Sequence, residues 1–441
     1  MPGKSGHIII KNLVEMGYAG AVYPINPRAK NILGRTAYPS IALCPETPEV
    51  AVIAVPRDMV PDSLRQAAEK GTRHAIIASA GFADTGDDVG QSLDNEIRQI
   101  ARQYTLRYMG PNSIGTINSH NRFITSITHN VPLPVGPVSF FGQTGLFASG
   151  VTRQLALTEK FGVAKIACLG NKNDVDEIAL LRFMADDEQT GIIGAYVEGT
   201  SDGRAFLQAA TYAASRKPLI VLKGGQSRAG SQAAAGHTGT LAGDAQVFSG
   251  VLRQARAVAA NDLEDFFDLL AGFAHGPRPR GRRLGVISIT GAGCVLSADA
   301  AEKYEMQIAE LSDSTVSRIR RVCPAWAPVR NPVDMWSAIE KSGVEAAYRE
   351  IGLALAQDPQ VDALVLIITL FPGTIFDIGP IIAEIKQAAP DKPVVTALIG
   401  GGPEENCDWM IAAHRGGAAT FANPVQAIRV LAAMAEERPA D

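Results

Sequence analysis

No stretch of this chain is apolar for long enough to span a bilayer. The longest largely apolar run, Ala363 to Phe371 with Thr369 inside it, falls far short of the ~20 residues a membrane helix needs. The first residues also lack the basic-then-apolar layout of a secretory signal. Cysteine is scarce: Cys44, Cys168, Cys294, Cys323 and Cys407 lie far apart, with no Cys-x-x-Cys pair. Neither a disulfide framework nor a zinc site follows from that spacing, so no metal is expected and a reducing, cytoplasmic setting is the default. Neither sign of charge dominates. A net charge of −4 offers no footing for nucleic acid or an anionic membrane surface. Aromatics make up only 6%, whereas glycine (43 residues) and alanine abound. That balance suits α/β layers with tight strand–helix turns, and 441 residues would hold about three domains.

Short β-rich runs alternate with helical periodicity along the whole chain, the pattern of parallel α/β layers. In the first third, strands are expected at Ala21–Asn26, Val50–Pro56, His74–Gly81 and Arg107–Asn112, with helices at Pro61–Lys70 and Val89–Tyr104. A run such as Val50-Ala-Val-Ile-Ala-Val55 reads as a strand buried on both faces. A second unit starts after the Pro-rich Val131–Pro137, with strands at Val138–Gly142, Lys165–Gly170, Ile192–Glu198 and Pro218–Gly224. The basic, Pro- and Gly-rich stretch His275–Arg283 reads as an exposed linker. A third unit follows, with strands at Leu284–Thr290, Ala363–Leu370, Val394–Ile399 and Ala418–Phe421. Units two and three open alike, each with a strand running into a Gly-containing turn and a helix, which points to a duplicated flavodoxin-like unit. In such sheets ligands gather at the carboxyl ends of the strands.

His237 lies between Gly236 and Gly239, ahead of a helical periodicity carried by Leu241, Ala245, Phe248, Leu252 and Ala255. The expected position is therefore a helix N-terminus, where free N–H groups and the dipole favour an anion such as a phosphoryl group on the ring. A lone histidine is otherwise an ordinary, partly buried loop residue. The turn Gly142-Gln143-Thr144-Gly145 is expected to lead into a helix from Leu146. It reads either as an anion cradle or as a plain strand–helix turn capped by Thr144. Two anion-friendly helix starts in one unit favour the reading of a shared phosphate site. Glu198 ends a strand and can accept the Nδ1 proton of a histidine, leaving Nε2 as the nucleophile; alternatively it is a solvated acid beside Asp202. In the first unit, Ser79–Phe82 and Gly110–Gly115 are small-residue turns after strands, suited to a nucleotide-type ligand. Pro2-Gly-Lys-Ser-Gly6 fails the Walker pattern. Cys294 begins a helix and could carry a depressed thiol pKa, but no histidine is placed to serve it. Asn331-Pro-Val-Asp334 reads as turn chemistry.

Taken in order, these stretches resemble the α subunit of ADP-forming acyl-CoA synthetases, in the succinyl-CoA synthetase superfamily. The resemblance rests on Tyr23–Pro27, Val52–Pro56, Ser79–Phe82, Gly110–Asn112, Gly142–Gly145, Leu169–Asn171, Gly236–Gly243 and Asn331–Asp334. It implies a Rossmann-like CoA-binding domain over 1–130, then two flavodoxin-like succinyl-CoA-ligase domains with parallel sheets over 131–276 and 283–441. It also implies a reversible relay: acyl-CoA and phosphate give an acyl phosphate and CoA, the phosphoryl group passes to a histidine, and then to ADP. By position, His237 would carry the phosphoryl group and Glu198 support it. Gln143, Thr144, Gly145, Thr238 and Gly239 would bind phosphate, and Lys4, Arg28, Val55, Pro56, Ser79, Ala80, Gly81, Pro111 and Asn112 would hold coenzyme A. Phe147 and Ser149 are candidates to shape the acid pocket.

Two departures from the family pattern accompany the resemblance. The family opens with a strand and a Gly-Ala-Ser turn, and this chain starts inside that turn. Nothing here reads as an ATP-grasp module, so ATP or ADP with Mg2+ is expected on a separate β subunit, in a dimer or larger assembly. The rival readings are a non-catalytic CoA-binding or regulatory protein and a nicotinamide-dependent dehydrogenase. The dehydrogenase is disfavoured because no complete G-x-G-x-x-G follows a strand.

Overall fold

The structure, a computed structural model, describes residues 3–238, 244–371, 373 and 376–435, and residues 234–238 by their backbone alone. The chain forms two compact units, Met1–Ala156 with Gly162–Asn261, and Leu157–Phe161 with Asp262–Asp441. Among the described residues no helix is long and apolar enough to cross a membrane, and no His/Cys/Asp/Glu cluster could hold a metal.

The first unit holds two sheets. Val50–Ile53, His74–Ile77 and Arg107–Met109 form a small parallel sheet, in that order. Helices Val60–Lys70 and Asp88–Tyr104 cover one of its faces through Leu64, Ala68, Ile97 and Ile100. On its other face Ile76 and Met109 join the core of the larger sheet, around Phe141, Leu169 and Leu181. A shared core is why two sequence-level domains make one compact unit; each buried aliphatic side chain is worth about 1.5–3 kcal/mol.

The larger sheet has seven strands, in the order Val258–Ala260, Leu219–Lys223, Ile192–Val197, Val135–Gly142, Val163–Cys168, Gly115–Asn118 and Phe123–Ile124. The first five are parallel, and the last two form an antiparallel edge. Numbered along the chain, the parallel strands run 2-1-3-4-5, the flavodoxin order. The second unit repeats this order with Gln307–Ile308, Arg283–Ser288, Ala363–Leu370, Val394–Gly400 and Ala419–Phe421, all parallel, while Val333–Asp334 pairs beside Arg283–Ser288. All eight residues of Ala363–Leu370 are buried, as a central strand covered on both faces requires.

Several expectations change. No strand forms at Ala21–Asn26; Ile25 makes a single bridge to Tyr38. Pro24 and Pro27 flank that residue, and proline has no N–H to donate to a ladder. The stretch Gly115–Ile124, sequence-wise in the first domain, supplies two strands to the second sheet. His275–Arg283 is not an exposed linker. Pro279 is buried, Lys386 donates to the His275 carbonyl at 2.5 Å, and Arg283 pairs with Asp362 at 2.9 Å. The helix before it, Leu263–His275, already belongs to the second unit.

Candidate functional site

In a 2-1-3-4-5 sheet the crevice opens where strand order reverses, between the first and third strands. In the first unit those are Val135–Gly142 and Ile192–Val197, paired in register from Ile192 with Val138 to Tyr196 with Gly142. Just past their carboxyl ends stand Gln143 and Glu198. The Glu198 N–H donates to Gln143 Oε1 at 2.9 Å, so the Gly142–Gly145 turn and the acid meet directly.

The turn itself needs small residues. A Cβ on Gly142 would lie 2.9 Å from the Phe147 ring, and one on Gly145 2.4 Å from Ile114 Cγ1. The Leu146 N–H donates to Thr144 Oγ1 at 3.2 Å, and the Cys168 thiol donates to the Thr144 carbonyl at 3.3 Å. The helix begins at Gly150, not at Leu146 as expected. Residues 145–149 turn instead, held by Ser149 Oγ on the Gly145 carbonyl at 2.6 Å. Phe147 is fully buried, edge-on to Phe140 and Tyr196, so it packs the corner of the sheet.

Glu198 is 6% exposed, which rules out the solvated-acid reading. Asp202 instead caps the next helix, accepting from the Ala205 N–H at 2.9 Å. Glu198 Oε1 accepts from the Tyr196 hydroxyl at 3.1 Å, and its carbonyl accepts from Lys223 Nζ at 2.7 Å. Burial, reinforced by the Glu198 charge, pushes the Tyr196 phenol up to about 12. Burial lowers the Lys223 pKa, and Glu198 opposes that shift. Neither Tyr196 nor Lys223 was singled out from sequence. The available signals were a tyrosine two residues before Glu198, hence on the same strand face, and a lysine closing an otherwise apolar strand.

His237 and Thr238 close the helix Arg228–Thr238; the predicted helix N-terminus is not there. Gln232-Ala-Ala-Ala favours a helix upstream, and the following helix, Ala245–Ala255, starts at its own cap. Asp244 accepts there from the Gln246 and Val247 N–H groups. The side chains of His237 and Thr238, and the whole of Gly239 and Leu241, lie outside the described residues. The backbone of Arg228–Thr238 runs against the short turn Ala83–Thr85, which follows Ser79–Phe82.

The structure brings together several of the residues expected to hold coenzyme A. Ser79 Oγ donates to the Val55 carbonyl, next to Pro56, at 2.5 Å, and the Asn112 N–H donates to the Ser79 carbonyl at 2.9 Å. Gly81, at φ +95°, presents its carbonyl to Arg57 Nη1 at 3.0 Å, and Ala80 beside it is exposed. The Pro111 carbonyl accepts from the Asn171 N–H at 2.9 Å. This wedges the Gly110-Pro-Asn turn onto the end of the larger sheet. Lys4 and Arg28 are both exposed; the Arg28 backbone N–H rests on Asn26 Oδ1 at 2.9 Å. In the second unit, burial first and Asp334 second push the Cys294 thiol up to about 11, the opposite of an activated nucleophile.

Three families match the chain in sequence: a CoA binding domain over residues 1–119, a succinyl-CoA ligase like flavodoxin domain over 135–273, and a ligase-CoA domain over 286–436. The chain is similar to the acetate–CoA ligase (ADP-forming) II subunit alpha of Pyrococcus furiosus, 34% identical across 96% of this chain and 91% of that one. It is also similar to the acetate–CoA ligase (ADP-forming) II of Archaeoglobus fulgidus, 35% identical over 97% of this chain, and spans 63% of that relative's length. Among solved structures it is similar to the dinucleotide forming acetyl-coenzyme A synthetase 1 of Ca. Korarchaeum cryptofilum in complex with phosphate and ADP. There the TM-score is 0.88 and the identity 30%, over 98% of this chain and 92% of the other.

Proposed function

Because the chain belongs to the ADP-forming acyl-CoA synthetases of the succinyl-CoA synthetase superfamily, we propose that it is the α subunit of an acid–CoA ligase. It would interconvert acyl-CoA, phosphate and ADP with acid, CoA and ATP. Coenzyme A lies along the turns of Val55, Pro56, Ser79, Ala80, Gly81, Pro111 and Asn112, with Lys4 and Arg28 toward its phosphates. Inorganic phosphate sits at Gln143, Thr144 and Gly145, and Thr238 and Gly239 are its further binding candidates. Phosphate oxygen attacks the thioester carbonyl, and the thiolate of CoA leaves. Neutral His237 then takes the phosphoryl group from the acyl phosphate through Nε2, and the carboxylate of the acid departs. Glu198 accepts the Nδ1 proton and fixes the tautomer. Backbone N–H groups stabilise the phosphoryl oxygens, so catalysis is mostly positioning. The nucleotide step, with Mg2+, falls to an ATP-grasp partner; the P. furiosus relative, a "subunit alpha", is likewise one subunit of an assembly. Five free cysteines fit a reducing, cytoplasmic setting.

The observation that carries this reading is the Glu198 N–H on Gln143 Oε1, which joins phosphate turn and buried acid at the switch point. The chemistry is tested by incubating the chain with acetyl-CoA and phosphate and following free thiol. Thiol release that requires phosphate, with acetyl phosphate seen directly by 31P NMR of the quenched mixture, supports an acyl phosphate. CoA binding without thiol release, across aliphatic and aromatic acyl-CoAs, returns the chain to a regulatory binding role.

A further inference from the structure

The sheet ladder stops one residue short of Glu198. The Val197 carbonyl takes the last ladder bond, from the Gly224 N–H at 3.0 Å. The Glu198 N–H and carbonyl then turn to side chains from the two flanking strands. Gln143, just past Val135–Gly142, accepts from the N–H at 2.9 Å, and Lys223, the last residue of Leu219–Lys223, donates to the carbonyl at 2.7 Å. Lys223 also donates to its neighbour's carbonyl, at Gly224. One residue on, Lys172 donates to the Gly199 carbonyl at 2.8 Å and pairs with Glu177 at 3.0 Å. Lys223 is 7% exposed and Gln143 6%. A buried ammonium whose hydrogen-bond partners here are neutral carbonyls costs stability that an apolar residue at the strand end would not. Its placement therefore serves the peptide it holds.

We propose that Lys223, with Gln143 opposite it, is a positioning residue of the phosphoryl relay: the two side chains grip the Glu198 peptide from both ends and so aim its carboxylate. This rests on the reading of Glu198 as the partner of His237. Tyr196 adds a third hold, on Oε1. Lys223 acts through Glu198 and touches no reacting atom.

The test is the pKa of the His237 imidazole, followed by long-range 1H–15N spectra of 15N-histidine-labelled full chain. Thermal melts check that each variant folds. Glu198→Gln removes an anion, so the His237 pKa falls by about one pH unit. Lys223→Met and Gln143→Met lower it in the same direction, because the carboxylate swings out of place. Loss of the Lys223 charge by itself would raise that pKa, so the sign separates aiming from plain electrostatics. With acetyl-CoA and phosphate, Lys223→Met slows His237 phosphorylation on the order of 10²-fold, with half-saturation by acetyl-CoA unchanged. An unchanged or raised His237 pKa in Lys223→Met and Gln143→Met, while Glu198→Gln lowers it, overturns the positioning role alone. An unmoved pKa in Glu198→Gln overturns the reading of Glu198 and this proposal with it.

Discussion

At Glu198 the carboxylate has no room to wander: Oε1 takes the Tyr196 hydroxyl, and the peptide is held on both sides. Replacing Tyr196 by Phe removes one hydrogen bond to a charged group, a loss of about 1.5–3 kcal/mol. We expect His237 phosphorylation in Tyr196→Phe to slow at least about tenfold, read by quenched-flow mass spectrometry. An unaltered rate would place the hydroxyl outside the relay. Gln143 and Glu198 were reached through the family resemblance, since the residues alone left Glu198 open as a solvated acid and Gln143 in a plain strand–helix turn. Tyr196 and Lys223 were not, because an aromatic and a lysine fit equally well as core filler and solvated strand end.

At the scale of elements, most strands and the helices at Pro61–Lys70 and Val89–Tyr104 read well, while the helix starts expected at Leu146 and His237 did not. Ala363–Leu370 was placed residue for residue, since an aliphatic run interrupted only by Thr369 has few other uses. The helix Arg228–Thr238 was missed because glycine and polar residues interrupt its periodicity, while Ala245–Ala255 carries a strong one. The antiparallel pair Gly115–Asn118 and Phe123–Ile124 was missed because such short strands leave little alternation to read. Leu169-Gly170-Asn171 shows how a turn joins two sheets. Gly170 sits at φ +61°, and a Cβ there would lie 2.2 Å from the Pro111 carbonyl oxygen. Gly170→Ala should cost at least about 2 kcal/mol in denaturant unfolding, through left-handed strain and the clash together. It should also weaken CoA binding, because the Gly110–Asn112 turn must move. A stable variant with unchanged affinity would deny the turn that role.

The whole molecule couples stability to pH through its second unit. There His275 and His414 stack 5.1 Å apart, and each ring bonds a carbonyl of the segment Leu157–Phe161: His414 Nδ1 the Thr158 carbonyl at 3.0 Å, His275 Nε2 the Lys160 carbonyl at 2.8 Å. Lys160 pairs with Asp268, and Arg415 with Glu159 at 2.8 Å. Burial, then the neighbouring ring, depresses the His414 pKa to about 3; burial also lowers that of His275. Both rings take up a proton less readily when folded than in the unfolded chain, which protonates them below their ordinary value of about 6.5. Stability from this pair is therefore full above about pH 6.5 and declines below it, by up to about 1.4 kcal/mol per pH unit per ring. Urea melts of the second unit should show that decline, and His414→Gln should flatten it. A slope unchanged in His414→Gln would assign the acid sensitivity elsewhere. The duplicated flavodoxin-like unit was legible at this scale from two matching strand–turn–helix openings, while its strand order came from the structure. The merging of the first two sequence domains was not, because no local signal records that Ile76 and Met109 share a core with Phe141.

The account depends on His237 carrying a phosphoryl group in transit, and the most direct measurement is the intact mass of the chain after brief exposure to acetyl-CoA and phosphate. It should gain one phosphate that is acid-labile, maps to His237 by fragmentation, is discharged by added acid substrate with CoA, and is absent from His237→Ala. A chain that releases CoA yet never gains that mass, or gains it equally in His237→Ala, would contradict it.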